Sequence, residues 1–194
     1  MAETVEPEEA GQAYARRVAE AKATIPHAYI EVEAQPRDEA PPHALVQAVA
    51  GALRDAPRVN GAYRDGRYEL RSEVNVAVAV SAQGTVFHPV IRNADDKDLS
   101  EIAGELAELS ERVRSGAVTR PELSGATFSM ADLRPQGIAR ASGIVRKGQA
   151  AYLSVGEPAP GRISLSLACD ARILHGAEAA EFLAAVRERL CQKG

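Results

Sequence analysis

Leu165-Ser166-Leu167-Ala168-Cys169-Asp170-Ala171-Arg172-Ile173-Leu174-His175-Gly176 is the stretch on which the reading of this chain turns. Successive side chains of a strand point to opposite faces. Leu165, Leu167 and Cys169 therefore share one face, and Ser164, Ser166, Ala168 and Asp170 the other. The strand, residues 162–169, runs into a charged turn in which Asp170 and Arg172 are placed to pair. Residues 176–190 follow as a closing helix. Cys169 reads as a small buried hydrophobe; a nucleophilic role would need a base within hydrogen-bond reach.

Upstream, the same kind of reading gives a mixed order of helices and strands. Residues 8–23 form a helix ended by Pro26, and His27–Ala34 alternates as a short strand. Residues 35–42 are a loop, and Pro41 and Pro42 suit the first turn of a helix running to Asp55. Asp65-Gly66 between two β-prone runs is a hairpin signal. Residues 74–80 read as one strand, apolar on both faces and so central in its sheet. Asp98-Leu99-Ser100-Glu101 has the form of a capping box. Leu99, Ile102, Ala103, Leu106, Leu109 and Val113 then recur at helical spacing. Strands are expected at residues 126–131, 150–155 and 162–169, with a tight turn at residues 158–161. A mixed sheet with flanking helices and no repeat is an α+β arrangement.

The chain has 194 residues, 45% hydrophobic and 26% charged, enough for one domain with a core that needs no disulfide or metal. Residues 1–10 are expected to fray, leaving residues 11–194 as the single domain. A net charge of −4 argues against nucleic acid as partner. No run approaches the roughly 18 apolar residues of a membrane span. The acidic start (Glu3, Glu6, Glu8, Glu9) is unlike a signal peptide. Cys169 and Cys191 have no metal-ligand spacing, which fits a reducing cytoplasm and no metal site.

The pieces resemble, in order, the catalytic domain of the dihydrolipoyl acyltransferases of 2-oxo acid dehydrogenase complexes. Residues 14–33 are similar to that family's opening helix, Ile-Pro-His turn and first strand. Residues 48–60 resemble its A-x-x-x-P-x-x-N helix end, and residues 74–91 its V-N-x-x-x-A-V…G…P-V-I stretch. Residues 99–114 follow as its next helix. Residues 125–133 resemble G-G-T-F-T-I-S-N-L, residues 148–156 P-Q-x-A-I-L-G-V-G, and residues 165–176 S-L-S-x-D-H-R-x-x-D-G. The resemblance implies a trimeric chloramphenicol-acetyltransferase-like fold with pockets between subunits. Set against the family, the chain is expected to have no lipoyl or subunit-binding domain and no hydrophobic C-terminal tail, which would imply an isolated trimer.

The resemblance also implies what has changed. Ala171 stands at the family's general-base His, Ala131 at its oxyanion-donating Ser, and His175 at its Asp. General acid–base catalysis contributes about 10²–10⁴-fold and an oxyanion donor about 10²–10³-fold, so little acyl transfer is expected. His175 reads either as a polar residue at the helix start or a trimer contact, or as a relocated acid or base. His88, before Pro89 on a strand, reads as a buried structural residue or, with His175, as replacement proton chemistry. Asp132 is expected to set a negative charge against an oxyanion. Arg140, Arg146 and Lys147 make residues 137–147 basic, either a solvated loop or a retained site for CoA or a phosphopantetheine-type ligand. Asp132, Cys169, Asp170 and Arg172 complete the candidate binding residues.

Three functions follow: a reused pocket for an acyl thioester or pantetheine-linked substrate in specialised biosynthesis; a non-catalytic subunit in a mixed trimer with an active paralogue; or a weak CoA-dependent acyltransferase. No cofactor is required by any of them. The assembly is a homotrimer or that mixed trimer.

Overall fold

The computed structural model describes residues 5, 6 and 8–191. Of the fraying expected at residues 1–10, residues 1–4 and 7 fall outside the described residues; Glu9 already opens a helix. In chain order the elements are α1 (Glu9–Thr24), β1 (His27–Ala34), α2 (Pro42–Asp55), β2 (Gly61–Arg64), β3 (Arg67–Leu70), β4 (Val76–Val78), β5 (Val80–Ala82), β6 (Thr85–Phe87), β7 (Val90–Ile91), α3 (Leu99–Arg114), β8 (Phe128–Asp132), β9 (Ala151–Ala159), β10 (Arg162–Asp170) and α4 (Gly176–Cys191). Among the described residues, no helix is long and apolar enough to cross a membrane.

Six strands make one mixed sheet in the order β1-β10-β9-β8-β4-β7. The β8 strand is parallel to both β4 and β9, and the other pairings are antiparallel. This is the α+β architecture expected. The face carrying Leu165, Leu167 and Cys169 packs with Phe128, Met130 and Leu153 against the apolar sides of α2 and α4, including Leu45, Val49, Phe182 and Val186. Phe128 and Phe182 meet with ring centroids 5.6 Å apart.

The other face is covered as well. Ala131, Tyr152 and Ala168 pack there against Ala21 of α1, Ile25 just after it, and Val145 of an irregular arm, residues 137–150. The arm is fastened by Ser164 Oγ donating to Ala139 O (2.7 Å) and by Val145 N–H donating to His27 Nε2 (3.0 Å). His27 Nδ1 lies 2.7 Å from Ile25 O, so the imidazole bridges two backbone groups. A Cβ at Gly156 would sit 2.3 Å from Ala139 O, and one at Gly143 2.2 Å from the Tyr152 ring. Both glycines let the arm lie close on the sheet.

Local signals are realised where short-range chemistry dictates them. Asp65 and Gly66 take φ of +49° and +79°, the left-handed pair that a two-residue hairpin needs. Asp98 accepts from Glu101 N–H at 2.9 Å while Glu101 accepts from Asp98 N–H at 2.8 Å. Three expectations are corrected. The strand foreseen at residues 74–80 is cut to β4, because the chain leaves the sheet at Ala79 and turns back through β5 and β6 at Gln83-Gly84, both at positive φ. The β4 strand is internal, but only the two-residue β7 separates it from the edge. The turn foreseen at residues 158–161 is only Pro160-Gly161, since Pro158 and Ala159 still belong to β9. Leu99, placed on the apolar stripe of α3, is exposed.

Candidate functional site

An open cavity of about 970 Å³ lies on the arm's side of the sheet. Its walls are α1, α3, the start of α2, the β4–β5 crossing and residues 141–147 of the arm. Ala131 and Ser154 line it side by side, being register partners on the parallel strands β8 and β9. Tyr152, two residues before Ser154, faces the same way. It lies 3.2 Å from His88 Nε2 through its hydroxyl, the two rings meeting edge to face.

His88 is buried and belongs to neither β6 nor β7 but to the bend between them, not to a strand as foreseen. Burial, and then the charges of Arg146 and Arg17, push its pKa down to about 3. The ring is therefore neutral at physiological pH, when a general base works best with a pKa near the operating pH. Burial likewise drives the Tyr152 phenol upward, Arg146 partly opposing it. The phenol stays protonated and can only donate or accept a hydrogen bond.

The expected site residues divide into two groups. His88, Ala131, Asp132, Arg146 and Lys147 line the cavity. Asp132 does not offer a bare negative charge there: both its oxygens hold Arg134, from Nε at 2.8 Å and Nη2 at 2.6 Å. Lys147 pairs with Glu20 at 2.5 Å. Arg146 is half-buried, and its pKa is lowered chiefly by burial; its carbonyl accepts from Gln149 N–H at 3.0 Å, but no hydrogen bond or ion pair engages its guanidinium among the described residues.

The second group lies elsewhere. Arg140 does not line the cavity; it is taken by Glu31 at 2.5 Å and by Glu33. Cys169 faces the core, and burial pushes its thiol up to about 12, so it is neither a ligand nor a nucleophile for the cavity. Asp170 is buried and holds Arg172 from Nε at 2.9 Å and Nη2 at 2.7 Å, with Arg172 over the Tyr63 ring at 4.6 Å. Ala171 and His175 are exposed, outside the cavity lining. His175 N–H donates to Glu178 at 3.2 Å, half of a helix-start cap. Within one chain, His88 and His175 are not brought together.

Several lining residues were missed from sequence: Tyr14, Arg17, His43, Tyr152 and Ser154. His43 lines the cavity at the start of α2. Tyr152 and Ser154 sit on a strand buried on both faces, so alternation marks neither as special.

Comparison with known proteins fits this geometry. The family described as 2-oxoacid dehydrogenases acyltransferase (catalytic domain) matches residues 41–193. The dihydrolipoyllysine-residue acetyltransferase component of the pyruvate dehydrogenase complex of Mycoplasma capricolum is 31% identical over 160 residues, 75% of this chain and 36% of that protein. The chain spans between about a third and a half of the length of the curated relatives first matched. A probable dihydrolipoamide acetyltransferase from Listeria monocytogenes superposes with TM-score 0.90 at 25% identity, over 97% of this chain and 94% of that one. A chloramphenicol acetyltransferase superposes with TM-score 0.62 at 13% identity, over 98% of this chain and all of that one, a likeness of fold alone. With four-fifths of its length matched in sequence and nearly all of it in structure, the chain belongs to the family of 2-oxoacid dehydrogenase acyltransferase catalytic domains.

Proposed function

We propose that this chain has given up the family's usual acyl transfer and uses its cavity to bind an acyl thioester or another pantetheine-linked substrate, in specialised biosynthesis in the cytoplasm. The observation that carries the reading is the cavity itself. It remains open at about 970 Å³, with polar groups of Arg17, Arg146, Tyr152, Ser154 and His88 converging on it. A subunit with a purely structural task has no use for such a space, and apolar side chains filling it would stabilise the fold. A CoA or phosphopantetheine ligand fits these residues in kind: an apolar wall for the arm of the ligand, and guanidinium groups for its anionic end.

The chemistry of transfer finds little support. Ala131 offers no hydroxyl, Ala171 no base, and His88 is held neutral with a pKa far below the useful range. The exposure of Ala171 and His175 at the end of β10 suits a position that faces another subunit. The assembly in this reading is a homotrimer with Cys169 and Cys191 as free thiols.

The test is acetyl transfer between CoA and dihydrolipoamide by the chain as it stands and by the double variant Ala131→Ser, Ala171→His. Transfer at least about 10⁴-fold below that of ordinary relatives is expected for the former, from the loss of both groups. A gain is expected for the double variant. Turnover by the unaltered chain at a relative's rate would contradict the reading, and its loss in His43→Ala or His88→Ala would identify the base.

A further inference from the structure

The cavity's charges do not balance internally. Its acidic lining residues are Glu20 and Asp132. Glu20 is taken by Lys147, and Asp132 by Arg134. Of the lining cations, Arg114 lies 3.9 Å from Glu111. Arg17 spends its Nε on Ala13 O, one turn back on its own helix, at 3.2 Å. Neither Arg17 nor Arg146 has a carboxylate partner among the described residues. Both line the cavity together with His88 and Tyr152, which touch each other at 3.2 Å, and the charges of both arginines bear on the His88 imidazole.

An arginine keeps its charge in proteins, and a charge taken out of water without a partner is costly. The half-buried Arg146 bears that cost, with burial as the first influence on it. The phenol of Tyr152 stays protonated and adds a neutral donor, whereas among the described residues no free carboxylate lines the cavity beside the pair. Planar guanidinium groups match the two oxygens of a carboxylate or phosphate.

We infer that Arg146, assisted by Arg17 and the Tyr152 hydroxyl, forms an anion-binding subsite inside the cavity, and that the substrate carries a carboxylate or phosphate group seated there. This rests on the reading of the cavity as a ligand site and narrows it: an acyl group or carrier that is neutral throughout would leave the two arginines unanswered. Exposure also orders the subsite. Arg17 lies on the exposed side of α1, Arg146 is half-buried, and Tyr152 and His88 are buried.

Calorimetric titration of the full chain with glutarate, inorganic phosphate, uncharged glutaramide and pantetheine lacking its phosphate tests this. The expected result is saturable binding of glutarate or phosphate, about tenfold or more weaker in Arg146→Gln, with glutaramide silent. Glutarate alone would assign a carboxylate, and phosphate alone the phosphate of a carrier. Arg17→Gln, a change on an exposed helix position, should weaken the same anion by less and guards against misfolding of the first variant. Anion binding unchanged in both variants, or absent from the unaltered chain, would overturn the subsite. Pantetheine reports on the cavity reading separately: it should bind equally well to Arg146→Gln. Pantetheine failing while glutarate binds would sink that reading and leave the subsite standing.

Discussion

At the end of β8, Asp132 accepts from Arg134 N–H at 3.2 Å and holds its guanidinium at 2.8 and 2.6 Å. At the end of β10, Asp170 accepts from Arg172 N–H at 3.0 Å and holds its guanidinium at 2.9 and 2.7 Å. The same Asp-x-Arg staple closes both strands, and Ala131 and Ala171 sit beside these staples. Their surroundings differ. Arg134 is 13% exposed and also donates to Glu39 O and Ala40 O at 2.9 and 2.8 Å, tying β8 to the loop before α2. Arg172 is 33% exposed and lies over Tyr63 of the β2–β3 hairpin. The first staple shapes a cavity wall, and the second an outward turn. In both, the strand end beside the alanine is firmly held.

Breaking the staples should separate the two. Asp132→Ala leaves a nearly buried guanidinium without its anion and should cost about 3 kcal/mol, read from urea unfolding midpoints. Asp170→Ala leaves an arginine that water can reach and should cost about 2 kcal/mol. The reverse order would contradict the contrast drawn between the two ends.

Acid sharpens the comparison on the cavity side. Between pH 6.5 and about 3 the unfolded chain takes up a proton that the folded His88 refuses. Stability from this residue is therefore full above pH 6.5 and falls as the pH drops. Relative to His88→Gln, the unaltered chain should lose about 1.4 kcal/mol more per pH unit within that window. Parallel acid curves for the two proteins would mean that His88 is not held neutral.

Filling each end gives a binding contrast. Ala131→Phe places a ring in the cavity of its own protomer and should weaken binding of a pantetheine ligand about tenfold or more, whereas Ala171→Phe, on the face turned to a neighbouring subunit, should weaken it by less. The smallest effect belongs to His175→Ala. Its side chain is exposed and its backbone cap to Glu178 survives, so stability should move by no more than about 0.5 kcal/mol.

Much of this architecture is legible in the sequence because it is local. The Asp65-Gly66 turn, the Asp98 capping box, Pro42 at the start of α2 and the alternation of β10 each follow from a few neighbouring residues. The division of residues 74–80 between β4 and β5 is not local: it depends on Gln83-Gly84, a weaker turn signal than Asp-Gly, and on β8 ending its pairing with β4 at Met130. The cavity is harder still to read. Its walls come from α1, α2, α3, two strands and the arm, and its charge balance depends on which arginines find carboxylates. Arg140 and Arg146 belong to the same basic segment, yet Arg140 is neutralised by Glu31 and Glu33 across the sheet edge while Arg146 turns inward. No spacing in residues 137–147 announces that difference.

The account stands most directly on whether the cavity takes a thioester carrier. Calorimetric titration of the purified full chain with acetyl-CoA and with CoA measures it. Saturable binding of both, with no acetyl transfer to dihydrolipoamide in the same preparation, is the predicted result. A folded protein that binds neither would contradict the account and point to a structural subunit in need of a partner chain.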